Sequence, residues 1–276
     1  MKKSITRKRI FVVIAMLLLL AFFCVWQNND LTVSTIQYRN ELLPESFDGY
    51  RILQVSDLHN KEFGKHQERL IALTKTSRPD IIVITGDLLD SRHPGIEAAM
   101  EYVDAAVQIA PVYFVAGNQE GWSGKYANLS ARLTNAGVIV LDNQSVVLTK
   151  DGKQITLVGI QDPAFFDSES SFEDALTGLA DPEDFTILLS HRPEKMALYA
   201  NDGFDLVFAG HAHGGQFRLP GLGGLYAPDQ GFLPKYTSGK YTDDDTSMVV
   251  SRGLGNSIIP LRLFNRPELV LVTLSQ

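Results

Sequence analysis

The sequence predicts an α/β fold: two packed, mixed β-sheets flanked by helices, a four-layer α/β/β/α sandwich behind an N-terminal transmembrane helix. Three observations lead there. Short apolar runs (Ile81–Thr85, Val112–Ala116, Phe185–Ser190, Leu206–Ala209) alternate with segments of helical spacing, the pattern of parallel βαβ units. A pair of β-rich runs around Asp151-Gly152 forms a hairpin, and two adjacent strands close the chain, which together imply a second sheet of mixed sense. Residues 10–26 form one unbroken apolar run behind a basic cluster.

That run comes first in the chain. Lys2, Lys3, Arg7, Lys8 and Arg9 precede Ile10–Trp26. The length exceeds a signal-peptide core and falls at the short end of the roughly 17–25 residues of a membrane span. Gln27-Asn28-Asn29-Asp30 follows, with no small-x-small cleavage site, and Phe22-Phe23 are too bulky to precede a processed Cys24. The segment reads as an uncleaved signal anchor. The expected division is a cytoplasmic basic segment (1–9), an anchor (10–26), a linker (27–30) and one folded domain (31–276). Basic residues stay in the cytoplasm, so the domain is expected on the extracytoplasmic side of the cell membrane, close to the bilayer because the linker is short.

Within the domain, Thr32–Tyr38 alternates apolar and polar residues as a half-exposed strand does, and Leu43–Gly49 reads as a turn. Tyr50–Ser56 is the first buried strand and runs into Asp57-Leu58-His59. Lys65–Ser77 has helical spacing, with Leu70, Ile71 and Leu73 on one side. Ile81–Thr85 ends on Gly86-Asp87-Leu88-Leu89-Asp90. A helix over Ile96–Ile109 leads to the strand Val112–Ala116, which ends on Gly117-Asn118-Gln119-Glu120. Tyr126–Ala136 is helical and Val138–Leu141 a short strand. Val146–Lys150 and Gln154–Ile160 make the hairpin; Phe172–Leu179 is a helix; Phe185–Ser190 ends on His191. Pro193–Asn201 suits a helix with proline in its first turn. Leu206–Ala209 then stops at Gly210, followed by His211 and His213, which strand alternation would point the same way. A Gly/Pro-rich loop (Leu219–Gly239) and the strands Thr246–Ser251 and Glu268–Leu274 end the chain.

Composition narrows the function. A chain of 276 residues that is 45% hydrophobic and 21% charged is ordinarily globular, and its single cysteine rules out an intramolecular disulfide or a thiolate metal cage. The net charge is −7, but five of the 25 basic residues lie in the first 26 positions. The remainder carries 20 basic against 32 acidic residues, or −12. Such a domain is a poor binder of nucleic acid, which is not an expected partner.

Five strand ends carry Asp57 and His59, Asp87, Asn118, His191, and His211 with His213. Ligands of open α/β sheets bind at the carboxyl ends of strands, so these loops are expected to converge. Nitrogen and oxygen donors without sulfur suit Mn, Fe, Zn or Co. The two other histidines, His66 and His93, read as surface residues.

Asp-x-His at 57–59, Gly-Asp-x-x-Asp at 86–90, Gly-Asn at 117–118, Ser-His at 190–191 and Gly-His-x-His at 210–213 resemble the calcineurin-like metallophosphoesterase superfamily. The anchor, Gly-Gly-Gln at 214–216 and Ser-Arg-Gly-Leu-Gly at 251–255 resemble its membrane-associated bacterial, YkuE-like branch. The resemblance implies two divalent cations. Asp57, His59, Asp87 and His213 would hold one; Asp87, Asn118, His191 and His211 would hold the other. Two dications about 3.5–4 Å apart need bridging anions, here the Asp87 carboxylate and a hydroxide that attacks phosphorus. Two aspartates and a hydroxide leave the pair at +1 when the imidazoles are neutral, a charge that attracts phosphate.

One position departs from the family. Gln119 stands where a histidine is thought to protonate the leaving oxygen. An amide donates a hydrogen bond but transfers no proton, and a lost general acid costs about 10²–10⁴-fold. Glu120 or water are alternative donors. The expected substrate is a phosphodiester or pyrophosphate, with lipid head groups or cell-envelope polymers as candidates from the membrane placement. The alternative is a catalytically weakened phosphate- and metal-binding or sensory protein. Arg192, Arg218 and Arg252 are candidate phosphate contacts. The apolar loop Phe217–Leu233 either admits a lipid-like substrate or packs over the sheet edge.

Overall fold

The computed structural model describes residues 2–93, 95–180, 184–256 and 260–276. Helix α1 (Lys2–Asn29) leads into strand β1 (Thr32–Arg39) and then β2 (Arg51–Val55). Next come α2 (Glu68–Ser77), β3 (Ile81–Thr85), α3 (Glu97–Ala106), β4 (Val112–Val115), α4 (Asn118–Ser123), α5 (Tyr126–Ala136) and β5 (Ile139–Val140). The second half holds β6 (Gln144–Lys150), β7 (Lys153–Gly159), α6 (Glu169–Leu176), β8 (Thr186–Leu189), α7 (Met196–Asn201) and β9 (Leu206–Ala209). Strands β10 (Gly239–Asp243), β11 (Thr246–Val250) and β12 (Glu268–Ser275) complete it.

Among the described residues these strands form two six-stranded sheets, ordered β1-β12-β2-β3-β4-β5 and β10-β11-β9-β8-β7-β6. Both are mixed. In the first, β2 to β5 run parallel while β12 opposes β2; in the second, β11, β9, β8 and β7 run parallel between antiparallel edges. Strand alternation sends Ile52, Val83 and Val115 inward against Ile187, Leu189 and Phe208 of the facing sheet. Leu53, Ile84 and Phe114 face outward onto α2, α3 and α5 through Leu70, Val103 and Leu129. Val158, Leu188 and Val207 meet Phe172 and Leu176 of α6 and Met196 and Tyr199 of α7. This is the predicted four-layer sandwich. Burial on both faces is why the central strands read as continuous apolar runs.

Several expectations change. The two closing strands do not lie side by side: β11 stays in the second sheet, while β12 crosses to the first and inserts between β1 and β2. Every residue from Glu268 to Val272 is buried, as a central strand covered on both faces requires. The span expected as a helix from Lys65 starts as a 3₁₀ turn with His66 and Gln67 at positive φ, and α2 begins only at Glu68. The Gly/Pro-rich loop contains two small hairpins, pairing Arg218–Leu219 with Gly223–Gly224 and Tyr226–Ala227 with Gly231–Phe232.

Residues 27–29 of the segment read as a linker continue the helix, which ends at Asn29. Lys8–Asn29, with a mean hydropathy of 2.7 over an 18-residue stretch, is long and apolar enough to cross a membrane, and its last turn docks on the domain. Lys61 Nζ donates to Asn28 O, Arg69 Nη2 donates to Asn29 O (3.0 Å), and Asn265 N–H donates to Gln27 Oε1 (3.1 Å). Basic side chains at a helix C-terminus satisfy its last carbonyls and complement its dipole.

Candidate metal centre

The loops that leave β2, β3, β4, β8 and β9 converge at one end of the sandwich. They bring together all seven predicted ligand residues, each buried. Asp57, His59, Asp87 and His213 form one donor group, and Asp87, His191 and His211 form another. Asn118 joins the second: its Oδ1 lies 3.2 Å from His191 Nε2. The first sheet supplies Asp57, His59, Asp87 and Asn118, and the second supplies the other three histidines.

Asp87 links the groups through one atom. Its Oδ2 is 3.4 Å from His59 Nε2 and 3.3 Å from His191 Nε2. Its other oxygen accepts from the Gln119 N–H (2.8 Å). Gly117 makes this approach possible, since a Cβ there would stand 2.3 Å from Asp87 Oδ1. Gly210 does the same for the neighbouring strand end, where a Cβ would stand 2.0 Å from Ser56 Oγ.

The backbone of the site is not extended strand. Asp57, His59, Asp87, His211 and His213 all have positive φ. That region is uncommon for residues other than glycine and concentrates at functional sites. This corrects the alternation argument for the last motif: β9 ends at Ala209, and the turns after it divide the pair. His211 serves the group with His191, while His213 Nε2 lies 3.5 Å from Asp57 Oδ1 in the other.

The donor set suits cations. Both ring nitrogens of His59 and Nδ1 of His213 are buried without hydrogen-bond partners among the described residues. Burial disfavours charge on His191, but Asp87 overrides it and holds the imidazole up at about 10. Burial would raise Asp87, yet His191 and His59 keep it well below the usual carboxylate range. His59 is also raised against its burial by Asp87, while burial and the charge of His59 push His213 well down. The centre thus favours positive charge that protons on four crowded imidazoles cannot all supply.

Neighbouring groups fix the ring orientations. His191 Nδ1 donates to Thr85 O (2.7 Å), leaving Nε2 toward Asp87 and Asn118. Asp229 Oδ2 accepts from His211 Nε2 (2.8 Å) and from Arg192, which leaves Nδ1 of His211 with its lone pair. The hydrogen bond from His211, aided by Arg192, draws the Asp229 carboxyl down to about 2. Arg192 is held in turn by Asp162 (Nη2 to Oδ1, 3.0 Å). It is therefore a brace behind His211 and not a free phosphate contact. The other arginines are braces too: Arg252 pairs with Glu268, and Arg218 donates to Gly214 O and Thr237 Oγ1. His66 and His93 lie outside, exposed as expected. The Asp90 carboxylate accepts from the backbone N–H and the Nε–H of Arg92 (2.9 and 3.1 Å).

Glu120 is a backbone clamp. Its Oε2 accepts from the N–H groups of Asp87 and Gly117 (2.8 Å each), and its Oε1 from that of Leu89 (3.0 Å). Burial and the nearby Asp87 charge raise its carboxyl to about 7. Gln119 Oε1 accepts from both the N–H and the hydroxyl of Ser91 (2.9 and 2.7 Å). Gln119 lines a cleft of about 360 Å³ over the centre, together with Asp87, Asn118, Trp122, Tyr226 and Asp229 among others. Sequence reasoning missed Asp229. Its only signal was a Pro-Asp turn inside the glycine-rich loop.

Residues 50–215 match the family described as calcineurin-like phosphoesterase. The chain is 31% identical to the uncharacterized metallophosphoesterase YkuE of Bacillus subtilis, over 86% of this chain and 82% of that protein. It is 28% identical to the phosphodiesterase YaeI of Escherichia coli, over 87% of each. The fold is shared with a solved phosphopantetheinyl hydrolase from Mycobacterium tuberculosis, at a TM-score of 0.50 and 13% identity, over 75% of this chain and 91% of that one. With the ligand motifs gathered at one end of this sandwich, the chain belongs to the calcineurin-like phosphoesterases and is a metal-dependent phosphoesterase.

Proposed function

We propose that the protein is a membrane-anchored phosphodiesterase or pyrophosphatase that works with two divalent cations. The observation that carries the dinuclear reading is Asp87 Oδ2, one oxygen within 3.4 Å of an imidazole nitrogen from each donor group. Asp57, His59, Asp87 and His213 hold one cation; Asp87, Asn118, His191 and His211 hold the other. Bound there, the cations supply Lewis acidity toward phosphate oxygens and a water-derived nucleophile at neutral pH.

The chain's own residues supply geometry. Thr85 and Asp229 set the histidine tautomers, and Glu120 locks the loops of Asp87 and Gly117 together. Hydrolysis joins a water oxygen to phosphorus and breaks the bond to the leaving oxygen. At that leaving oxygen Gln119 has only its amide N–H groups to offer, since its carbonyl is taken by Ser91. Leaving groups that depart as stable anions, aryl or phosphoryl, are therefore favoured over alkoxides. α1 anchors the chain, and its basic flank supports an extracytoplasmic domain.

The test is reconstitution of the full chain in detergent with manganese, with metal content and turnover measured on diesters, pyrophosphates and monoesters. Two equivalents of metal and faster diester or pyrophosphate cleavage are expected. A single equivalent, or monoesters cleaved faster than diesters, overturns the reading.

A further inference from the structure

Several of the large apolar side chains left exposed on the domain lie on one loop beside the cleft. Phe232 is 84% exposed and Leu222 and Leu233 are 63% exposed, all on the loop that follows His213. Tyr226 of the same loop lines the cleft, with its ring 5.5 Å from that of Phe232. Exposed apolar patches of this kind mark binding surfaces.

This loop is stitched to the end of the N-terminal helix. Asn265 Nδ2 donates to His213 O (2.7 Å) and to Gln216 O (3.0 Å), and Asn265 N–H donates to Gln27 Oε1. One residue thus connects a candidate metal ligand to the apolar helix. Arg218 N–H donates to Leu263 O (2.9 Å), extending the seam. The seam itself exposes Leu261 and Phe264, and the Phe264 ring lies 5.4 Å from that of Phe23. Phe23 is nearly one turn deeper in the apolar run than Trp26, about 4.5 Å at the helical rise. Trp26 lies under Arg266, a pairing typical of the head-group level. Phe264 therefore reaches below the head groups when the anchor spans a bilayer, and the adjacent Asn265 is bonded to His213, which lines the cleft.

We propose that the face running from Leu261 and Phe264 to Leu222, Phe232 and Leu233 rests in the membrane that holds the anchor. Its occupant is a lipid of that membrane. The substrate is an acylated phosphodiester or pyrophosphate whose head group enters the cleft while its chains stay against Phe232 and Leu233. The substrate half of this proposal rests on the phosphodiesterase reading; the docking half does not.

Two measurements on the full chain test it. In the first, Cys24→Ser chains carrying one new cysteine, Phe232→Cys, Phe264→Cys or Val147→Cys, are labelled with an environment-sensitive fluorophore in phosphatidylglycerol nanodiscs. Val147, exposed on the edge strand β6, is the water-facing reference. Brominated lipid should quench the labels at 232 and 264 about threefold more than at 147, as insertion to the acyl boundary requires. Equal quenching at 232 and 147 overturns the docking surface. In the second, kcat/KM is compared for hexadecyl and methyl 4-nitrophenyl phosphate in mixed micelles with manganese. The long chain should be favoured about tenfold or more, the worth of a few buried methylenes. Phe232→Ser with Leu233→Ser should bring that ratio near unity, and a ratio cancels any general loss of fold or metal. No chain preference in the native protein, or an undiminished one in the variant, overturns the substrate class. Lipid quenching without hydrolysis of either ester supports the docking surface and removes the phosphodiesterase reading instead.

Discussion

In the proposed chemistry Asp87 would bridge the metals, and Gln119, whose backbone N–H donates to the other Asp87 oxygen, would face the leaving group. Replacing the shared Oδ2 of Asp87 by an amide nitrogen removes both its charge and its ability to bridge. Asp87→Asn should lower metal content from two equivalents to one or none and reduce turnover by about 10³-fold or more. Two retained equivalents with near-native rates would take Asp87 out of the bridging role. Gln119→His places a group that can be acidic near neutral pH where the family has its proton donor. Across phosphodiesters graded by leaving-group pKa, the variant should gain mainly at the alkyl end and show a flatter dependence. Parallel slopes at equal metal content would mean that position 119 does not govern protonation.

At the scale of an element, the short helix α4 depends on Glu120. This one carboxylate satisfies N–H groups from β3's exit loop and from the start of the helix, and so carries Asn118 to the centre. Glu120→Ala leaves three buried donors unpaired at about 1–3 kcal/mol each, so denaturant melts should show a loss of about 3 kcal/mol or more. Glu120→Gln keeps Oε1 as an acceptor for Leu89 and should lose less. A melt of the alanine variant that matches the native one would sink the clamp. The same clamp makes Glu120 a poor replacement proton donor, since both of its oxygens already accept hydrogen bonds.

Across the whole molecule, the N-terminal helix and the domain meet at Lys61. Burial, with Arg262 nearby, lowers its ammonium to about 7. An unfolded lysine holds its proton to about 10.5, so between these values the unfolded chain binds a proton that the folded chain does not. Stability should therefore rise with pH through that window. NMR of reductively ¹³C-methylated protein should show one lysine titrating near 7; ordinary titration of every lysine would show that the helix end is not docked as described. The orientation is read on whole cells. Protease that has access to the outer membrane face should remove the domain and spare the anchor, and a protected domain would place it on the cytoplasmic side.

Pattern along the chain was enough for the layered fold and for the candidate ligand set. Each of Asp57, Asp87, Asn118, His191 and His211 follows a buried apolar run, and a chain of alternating strands and helices brings such ends together. It was enough also for the N-terminal apolar helix, because a long apolar run behind basic residues needs no tertiary context to be read. The remainder took shape only through packing. The sheet that β12 joins depends on which neighbours bury it, and the division of His211 from His213 depends on left-handed turns that strand periodicity does not contain. Asp229 acquires its role only because a glycine-rich loop folds back across the centre, and Glu120 only because three N–H groups from two segments far apart in sequence point at it. Local pattern settles what each segment is, since burial and periodicity act along the chain. Partners far apart in sequence are chosen by packing, which acts through space.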